Sequence, residues 1–273
     1  MTIPFAQVDV FASGPFTGNP AAVVRPPTGS YPSEGWLADV ARELACTNTA
    51  FVWPTGDGPH RLRWFTAGGA EVDRCGHATL ATVHDLVETG DARPGTAVRF
   101  TTRIGELTAT AGEAGVALDL PVDEARPCPA PDGLLDALGC DAVDVGRSSD
   151  DYVVVVDDEP TVAALTPDLA ALAAVECRGV IVTAPADDTT GARTDVVLRF
   201  FGPRVGVPED HVTGTAHGPL APLWCERLGG RTSYVARQLS PRGGTVHVEL
   251  DGDRVRIRGR AVTVLRGSIL SPP

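Results

Sequence analysis

The sequence predicts an α+β protein of two related halves, each a sheet wrapped around a buried central helix. Three observations predict it. Short β-branched runs recur along all 273 residues, separated by clusters drawn from 30 glycines and 23 prolines. Two helical stretches, 78–87 and 216–224, are apolar on nearly every side, and a helix without a polar face belongs in an interior. The third is an internal echo. Arg63-Trp64-Phe65-Thr66-Ala67 leads to Cys75-Gly76-His77-Ala78-Thr79 and then an apolar helix. Arg199-Phe200-Phe201-Gly202-Pro203 leads to Thr213-Gly214-Thr215-Ala216-His217 and then another.

The elements follow from local pattern. Alternating apolar and polar residues predict strands at 7–11, 21–24, 49–53, 61–65, 97–102, 107–111 and 116–119 in the first half. The second half carries them at 152–156, 180–184, 195–201, 245–250 and 255–260. Helices are predicted at 33–44, 76–88, 166–174 and 214–228. The first has an apolar stripe of Trp36, Leu37, Val40 and Leu44, and the third opens on Thr166 as cap with Pro167 at its first position. Pro219 and Pro222 predict a kink or an irregular first turn in the last. The expected halves are 1–120, joined by a C-terminal strand at 261–273, and 121–260, with a linker near 121–131.

Composition narrows the function. With 43% hydrophobic and 21% charged residues the chain has the balance of a folded globule rather than a disordered one. A formal charge of −12 repels phosphate backbones and argues against nucleic-acid binding. No apolar run reaches the roughly 20 residues that span a bilayer, so no membrane partner is expected. Met1-Thr2-Ile3-Pro4 runs into strand without a basic, signal-like leader, and the expected compartment is the cytoplasm. The six cysteines, Cys46, Cys75, Cys128, Cys140, Cys177 and Cys225, form no CxxC pair. In a reducing compartment they read as small core residues, with no metal site.

Chemistry concentrates at the echoed turns. The first N–H groups of a helix lack internal partners and face outward at the positive end of the dipole, and a glycine there lets a ligand come close. Gly76-His77 and Gly214-Thr215 are therefore candidate holders of a carboxylate or a developing enolate. Both glycines also suit tight turns. His77 lies at the first turn, Glu209 and Asp210 are expected in a loop just before the second, and His211 and His217 flank it; all can carry protons. Phe16, Trp64, Phe201 and His211 outline an apolar, aromatic pocket.

Several of these segments, taken in order, resemble the PhzF-like phenazine-biosynthesis family. They are Val8-Asp9-Val10-Phe11, Phe16-Thr17-Gly18-Asn19-Pro20, Thr49-Ala50-Phe51-Val52, Arg63-Trp64-Phe65-Thr66 and Glu71-Val72-Asp73-Arg74-Cys75-Gly76-His77. Glu209-Asp210-His211-Val212-Thr213-Gly214-Thr215 and Ala236-Arg237-Gln238-Leu239-Ser240-Pro241 complete the set. The resemblance implies the diaminopimelate-epimerase-like fold, a ligand cleft between its two domains, a homodimer, no cofactor and no metal. It implies isomerisation of a small carboxylate by a proton shift, in secondary metabolism. His77 and Asp210 match residues that contact substrate and assist proton transfer. Gly76, Gly214 and Thr215 match the groups that hold its carboxylate, and Asn19 and Thr47 fall in matched substrate-binding segments.

The chain departs from the family pattern at one position that matters. Where the family reads Asn-Leu-Ser-Glu, with the Glu as main acid–base catalyst, this chain reads Ala45-Cys46-Thr47-Asn48. An amide donates and accepts hydrogen bonds but takes no proton at neutral pH. Either His211, or His77 with Asp210, replaces that base, or the site runs a cyclisation, elimination or hydrolysis, or it only binds. A two-thiol epimerase is disfavoured: Cys75 has Thr213, a far weaker base, as its counterpart. Cys46 becomes a nucleophile only if its surroundings lower its pKa.

Overall fold

The computed structural model describes residues 2–29, 31–55, 58–187 and 193–271. The chain divides into two units, Met1–Asp119 with Arg258–Pro273, and Leu120–Ile257.

In the first unit Ile3–Val10 lies antiparallel to both Asn19–Val24 and Ala261–Ile269. Asn19–Val24 runs parallel to Asn48–Trp53, which is antiparallel to His60–Thr66. That strand pairs with Glu71–Val72 and, in parallel, with Ala97–Thr102, from which the sheet continues through Gly105–Gly112 to Gly115–Pro121. A parallel pair needs a crossover. Helix Glu34–Leu44 supplies it, capped by the Ser33 hydroxyl, which accepts from the Trp36 N–H at 3.2 Å. Leu37, Val40 and Ala41 of this helix pack on Ile3, Val24, Phe51, Trp53 and Phe65.

The central helix, Gly76–Glu88, packs on strands Ile3–Val10, Asn19–Val24 and Gly105–Gly112. It buries two threonines by turning their hydroxyls onto its own backbone, Thr79 to the Cys75 carbonyl at 2.7 Å and Thr82 to that of Ala78 at 2.8 Å. Its one buried carboxylate, Asp85, meets Arg25 at 3.4 Å and Arg266 at 2.8 Å.

The second unit repeats this order. Asp151–Val155 runs parallel to Gly179–Pro185, which is antiparallel to Val196–Gly202. Val196–Gly202 pairs with Val207–Asp210 and, in parallel, with Ser233–Gln238, which runs antiparallel to Gly244–Asp251. The short helices Glu159–Ala164 and Leu169–Leu172 occupy the crossover. The central helix opens as a 3-10 turn, Gly214–Ala216, and continues as His217–Arg227 with Pro222 inside it, the irregular start its prolines predict. The echo is also electrostatic. Arg63 grips Glu71 with two bonds of 2.7 Å, and Arg199 grips Glu209 at 2.7 and 3.0 Å. Each pair ties a strand to the chain four residues before the turn of its central helix.

Four expectations change. The helix expected at 166–174 is only Leu169–Leu172, and its cap is Asp168, not Thr166. One Asp168 oxygen accepts from both the Ala170 and Ala171 N–H groups at 3.0 Å, a stronger charged cap than a threonine hydroxyl. Glu209 and Asp210 end a strand rather than lying in a loop. The stretch 121–131 is held in place, by Arg126–Pro127 pairing with Gly146–Arg147 and by Asp123 bonding Ser149. The C-terminal strand expected at 261–273 is Ala261–Ile269, and residues 272 and 273 lie outside the described residues.

Candidate active site

In the first unit the parallel strands bring two polar residues to their starts. Gly18 has φ 72°, and a Cβ there would lie 2.3 Å from the Val10 carbonyl, so only glycine makes the turn that delivers buried Asn19 to the head of its strand. Asn48 heads the neighbouring strand, opposite Ala21 on one side and Thr66 on the other, with Thr47 just before it. Asn48 and Thr47 are half-buried.

The central helix, packed on both strands, begins at Gly76 with Cys75 as cap and no side-chain cap bond. A Cβ on Gly76 would meet only a Leu118 methyl at 3.5 Å, an ordinary contact, so internal packing does not demand glycine. The Cys75 Sγ lies 3.7 Å from the Nδ1 of buried His77, a thiol against an imidazole at a helix start.

The second unit shows the same design with different groups. The Thr213 hydroxyl donates to Asp210 Oδ2 at 2.6 Å, and its N–H donates to Gln238 Oε1 at 2.8 Å. The Gln238 amide donates back to the Asp210 carbonyl at 2.7 Å, locking the turn ahead of Gly214. This helix start also lacks a side-chain cap bond. Arg178 donates to Thr215 Oγ1 at 3.1 Å while clamping buried Asp151 through two bonds. Burial alone would lower the Arg178 pKa, but Asp151, Asp150 and Asp210 outweigh it and hold the value above the arginine norm.

Of the expected site residues, Asn19, Thr47, Asn48, Gly76 and His77 lie in the first unit, and Asp210, His211, Gly214 and Thr215 in the second. His217, another candidate proton carrier, is fully enclosed. Its Nδ1 lies 3.0 Å from the Tyr234 hydroxyl, and burial pushes its pKa down to about 3, so it is a neutral core residue. Two of the expected pocket aromatics are interior: Trp64 is 3% exposed, and Phe201 packs in the second unit's core with Val154, Val182 and Leu138. Phe16 is 74% exposed and sits at φ 68°, with its N–H bonded to the buried Asp9 carboxylate at 2.7 Å. Sequence reasoning missed Arg178, Asp151 and Gln238. Arg178 lies 37 residues before Thr215 and Asp151 farther still, spacings that carry no local signal.

Residues 8–267 match the family model described as phenazine biosynthesis-like protein. The chain belongs to that family. A Pseudomonas aeruginosa protein named as an uncharacterized isomerase is 46% identical, over 98% of this chain and 99% of its own. A human phenazine biosynthesis-like domain-containing protein is 35% identical over 98% and 99%. The crystal structure of a PhzF-family protein from Enterococcus faecalis superposes with a TM-score of 0.90 at 36% identity, covering 99% of this chain and 100% of that one. A probable proline racemase from Agrobacterium radiobacter shares the fold alone, with a TM-score of 0.60 at 15% identity, over 99% of this chain and 94% of its own. The fold is the α+β fold of PhzF proteins, a fold the probable proline racemase shares, and the family is of isomerase type. Among the described residues no helix is long and apolar enough to cross a membrane, and no three His, Cys, Asp or Glu side chains are grouped as a metal requires.

Proposed function

We propose that this chain is a cofactor-independent isomerase of a small carboxylate metabolite, in secondary metabolism and as a homodimer, with His77 taking over the proton transfer that an Asn cannot perform. In this reading the helix starts at Gly76 and at Gly214-Thr215 hold the substrate's carboxylate and the enolate charge that develops when a carbon-bound proton leaves. Asn19, Thr47 and Asn48 orient the substrate by hydrogen bonds. In the tautomer with hydrogen on Nδ1, the nitrogen 3.7 Å from Cys75 Sγ, the Nε2 lone pair of His77 is the basic one, and it takes the proton from one carbon and returns it to another. Asp210, fixed by the Thr213 hydroxyl, receives a hydrogen bond from the substrate, with His211 beside it.

The observation that carries this reading is the pair of proton-bearing clusters, Cys75–His77 and Thr213–Asp210, each at a central helix start without a side-chain cap. One observation favours a second reading. Asn48 stands in place of a carboxylic acid, which suits a cyclase, lyase or hydrolase that moves no carbon-bound proton. Turnover of candidate carboxylates in deuterated buffer separates the two. Deuterium at carbon, lost in a His77→Gln variant, is expected of the isomerase. Product without carbon-bound deuterium, once internal return is excluded, supports the second reading, and saturable binding without turnover supports a ligand-binding protein. If Asn48→Glu creates isomerase activity that the native protein lacks, the first reading fails.

A further inference from the structure

The repeat of topology makes positions in the two units comparable one by one. Asn48 lies opposite Ala21 in the first unit's parallel pair, and Gly179 lies opposite Asp151 in the second. Asn48 is thus matched by Gly179, and Thr47 by Arg178. The glycine has a packing cause. A Cβ at 179 would lie 2.2 Å from the Phe200 ring, which folds across the strand start and underlies the Arg178 guanidinium at 5.4 Å. Arg178 is held on three sides: by this ring, by the bidentate clamp of Asp151 and by Thr215 Oγ1.

The hydrogen-bond directions then decide a role. A guanidinium only donates, so Thr215 Oγ1 must accept from Arg178 Nη1. The hydroxyl's own hydrogen has no acceptor among the described residues. Accepting from a cation also polarises the hydroxyl and makes it a stronger donor. Asp151 fixes the guanidinium and balances its charge, leaving Thr215 as the group presented beside the helix start.

We propose that Arg178 is a positioning residue that orients the Thr215 hydroxyl to donate to the carboxylate of the substrate, with Asp151 and Phe200 holding the guanidinium in place. The proposal rests on the carboxylate reading above and deepens it by naming what sets the donor.

The test uses the full chain, with anthranilate as carboxylate probe and anthranilamide as its uncharged counterpart, titrated by calorimetry and by NMR of the threonine methyls. The native protein is expected to prefer anthranilate. Thr215→Val is expected to weaken anthranilate binding about tenfold, the size of one charge-assisted hydrogen bond. Arg178→Met is expected to lose the same factor, and Arg178→Lys to recover most of it, since an ammonium can still donate to Oγ1. The double variant R178M/T215V should bind no worse than T215V alone.

Native-like binding by R178M, or a loss that adds in full to that of T215V, overturns the positioning role. If R178M fails to fold because Asp151 is left unpaired, D151N/R178M makes the same comparison without the orphaned charge. A native protein that binds both probes equally, or neither, refutes the carboxylate reading before any variant is made, so the two failures are told apart.

Discussion

The ion pairs that anchor the two helix turns invite a direct comparison, Glu71→Gln against Glu209→Gln. Each change keeps shape and one acceptor oxygen but removes the charge facing a largely enclosed arginine. Arg199 and Glu209 side chains are 11% and 19% exposed, and Arg63 and Glu71 are 14% and 13% exposed. Such pairs lie between exposed ones, worth roughly 0.2–1 kcal/mol, and fully buried ones, whose breaking costs about 3–5 kcal/mol. The partners left behind differ. Arg63 retains Glu34 at 2.9 Å, whereas among the described residues Arg199 retains no second carboxylate, only carbonyls, chiefly that of Leu165 at 2.7 Å, and the Phe201 ring. E209Q is therefore expected to cost about 2 kcal/mol and E71Q about 1 kcal/mol. Urea unfolding at neutral pH, followed by tryptophan fluorescence and circular dichroism, measures both. A cost for E209Q below about 0.5 kcal/mol, or one smaller than that of E71Q, refutes the claim that these pairs anchor the turns and that the spare carboxylate decides the difference.

Three further outcomes follow from the same structure. Gly76→Ala should leave thermal stability unchanged or raised by up to about 1 kcal/mol, since alanine is the better helix former, while weakening carboxylate binding; unchanged anthranilate affinity would remove Gly76 from the site. His217, neutral in the fold with a pKa of about 3 against 6.5 when free, should make stability fall by about 1.4 kcal/mol per pH unit as pH drops below 6.5, because the unfolded chain takes up a proton that the fold refuses. In H217N that contribution is absent, so its stability deficit relative to the native protein should shrink between pH 7.5 and pH 5 in urea titrations. Asp85→Asn strips the carboxylate shared by Arg25 and Arg266 and should cost about 2–3 kcal/mol in thermal unfolding, with carboxylate binding retained.

Much of this was legible in the sequence, for physical reasons. Helices Glu34–Leu44 and Gly76–Glu88 declare themselves through a polar cap with an apolar stripe and through near-continuous apolarity. The echo of Arg63 and Arg199 is visible because each arginine's partner is only eight or ten residues away. What escaped was tertiary or too short for a period. Ser233–Gln238 is a central strand whose pattern is broken by Arg237, which reaches Glu159 across 78 residues. Leu134–Leu138 and Glu159–Ala164 are single turns set by packing and by the Asp158 cap. Phe201 looked like a pocket residue because an aromatic beside a functional turn carries no mark of which sheet face it takes. Arg178 gave no hint at all, since its role depends on chains of contact that only folding brings together.

The strand Ala261–Ile269 pairs along the whole of Ile3–Val10, joining two segments some 250 residues apart in sequence. The unit encoded first is therefore finished last. During synthesis the contiguous segment Leu120–Ile257 can complete its own sheet while the opening strand still waits with one edge bare. Without residues 261–269 that edge would stay bare, an open template for pairing with another chain.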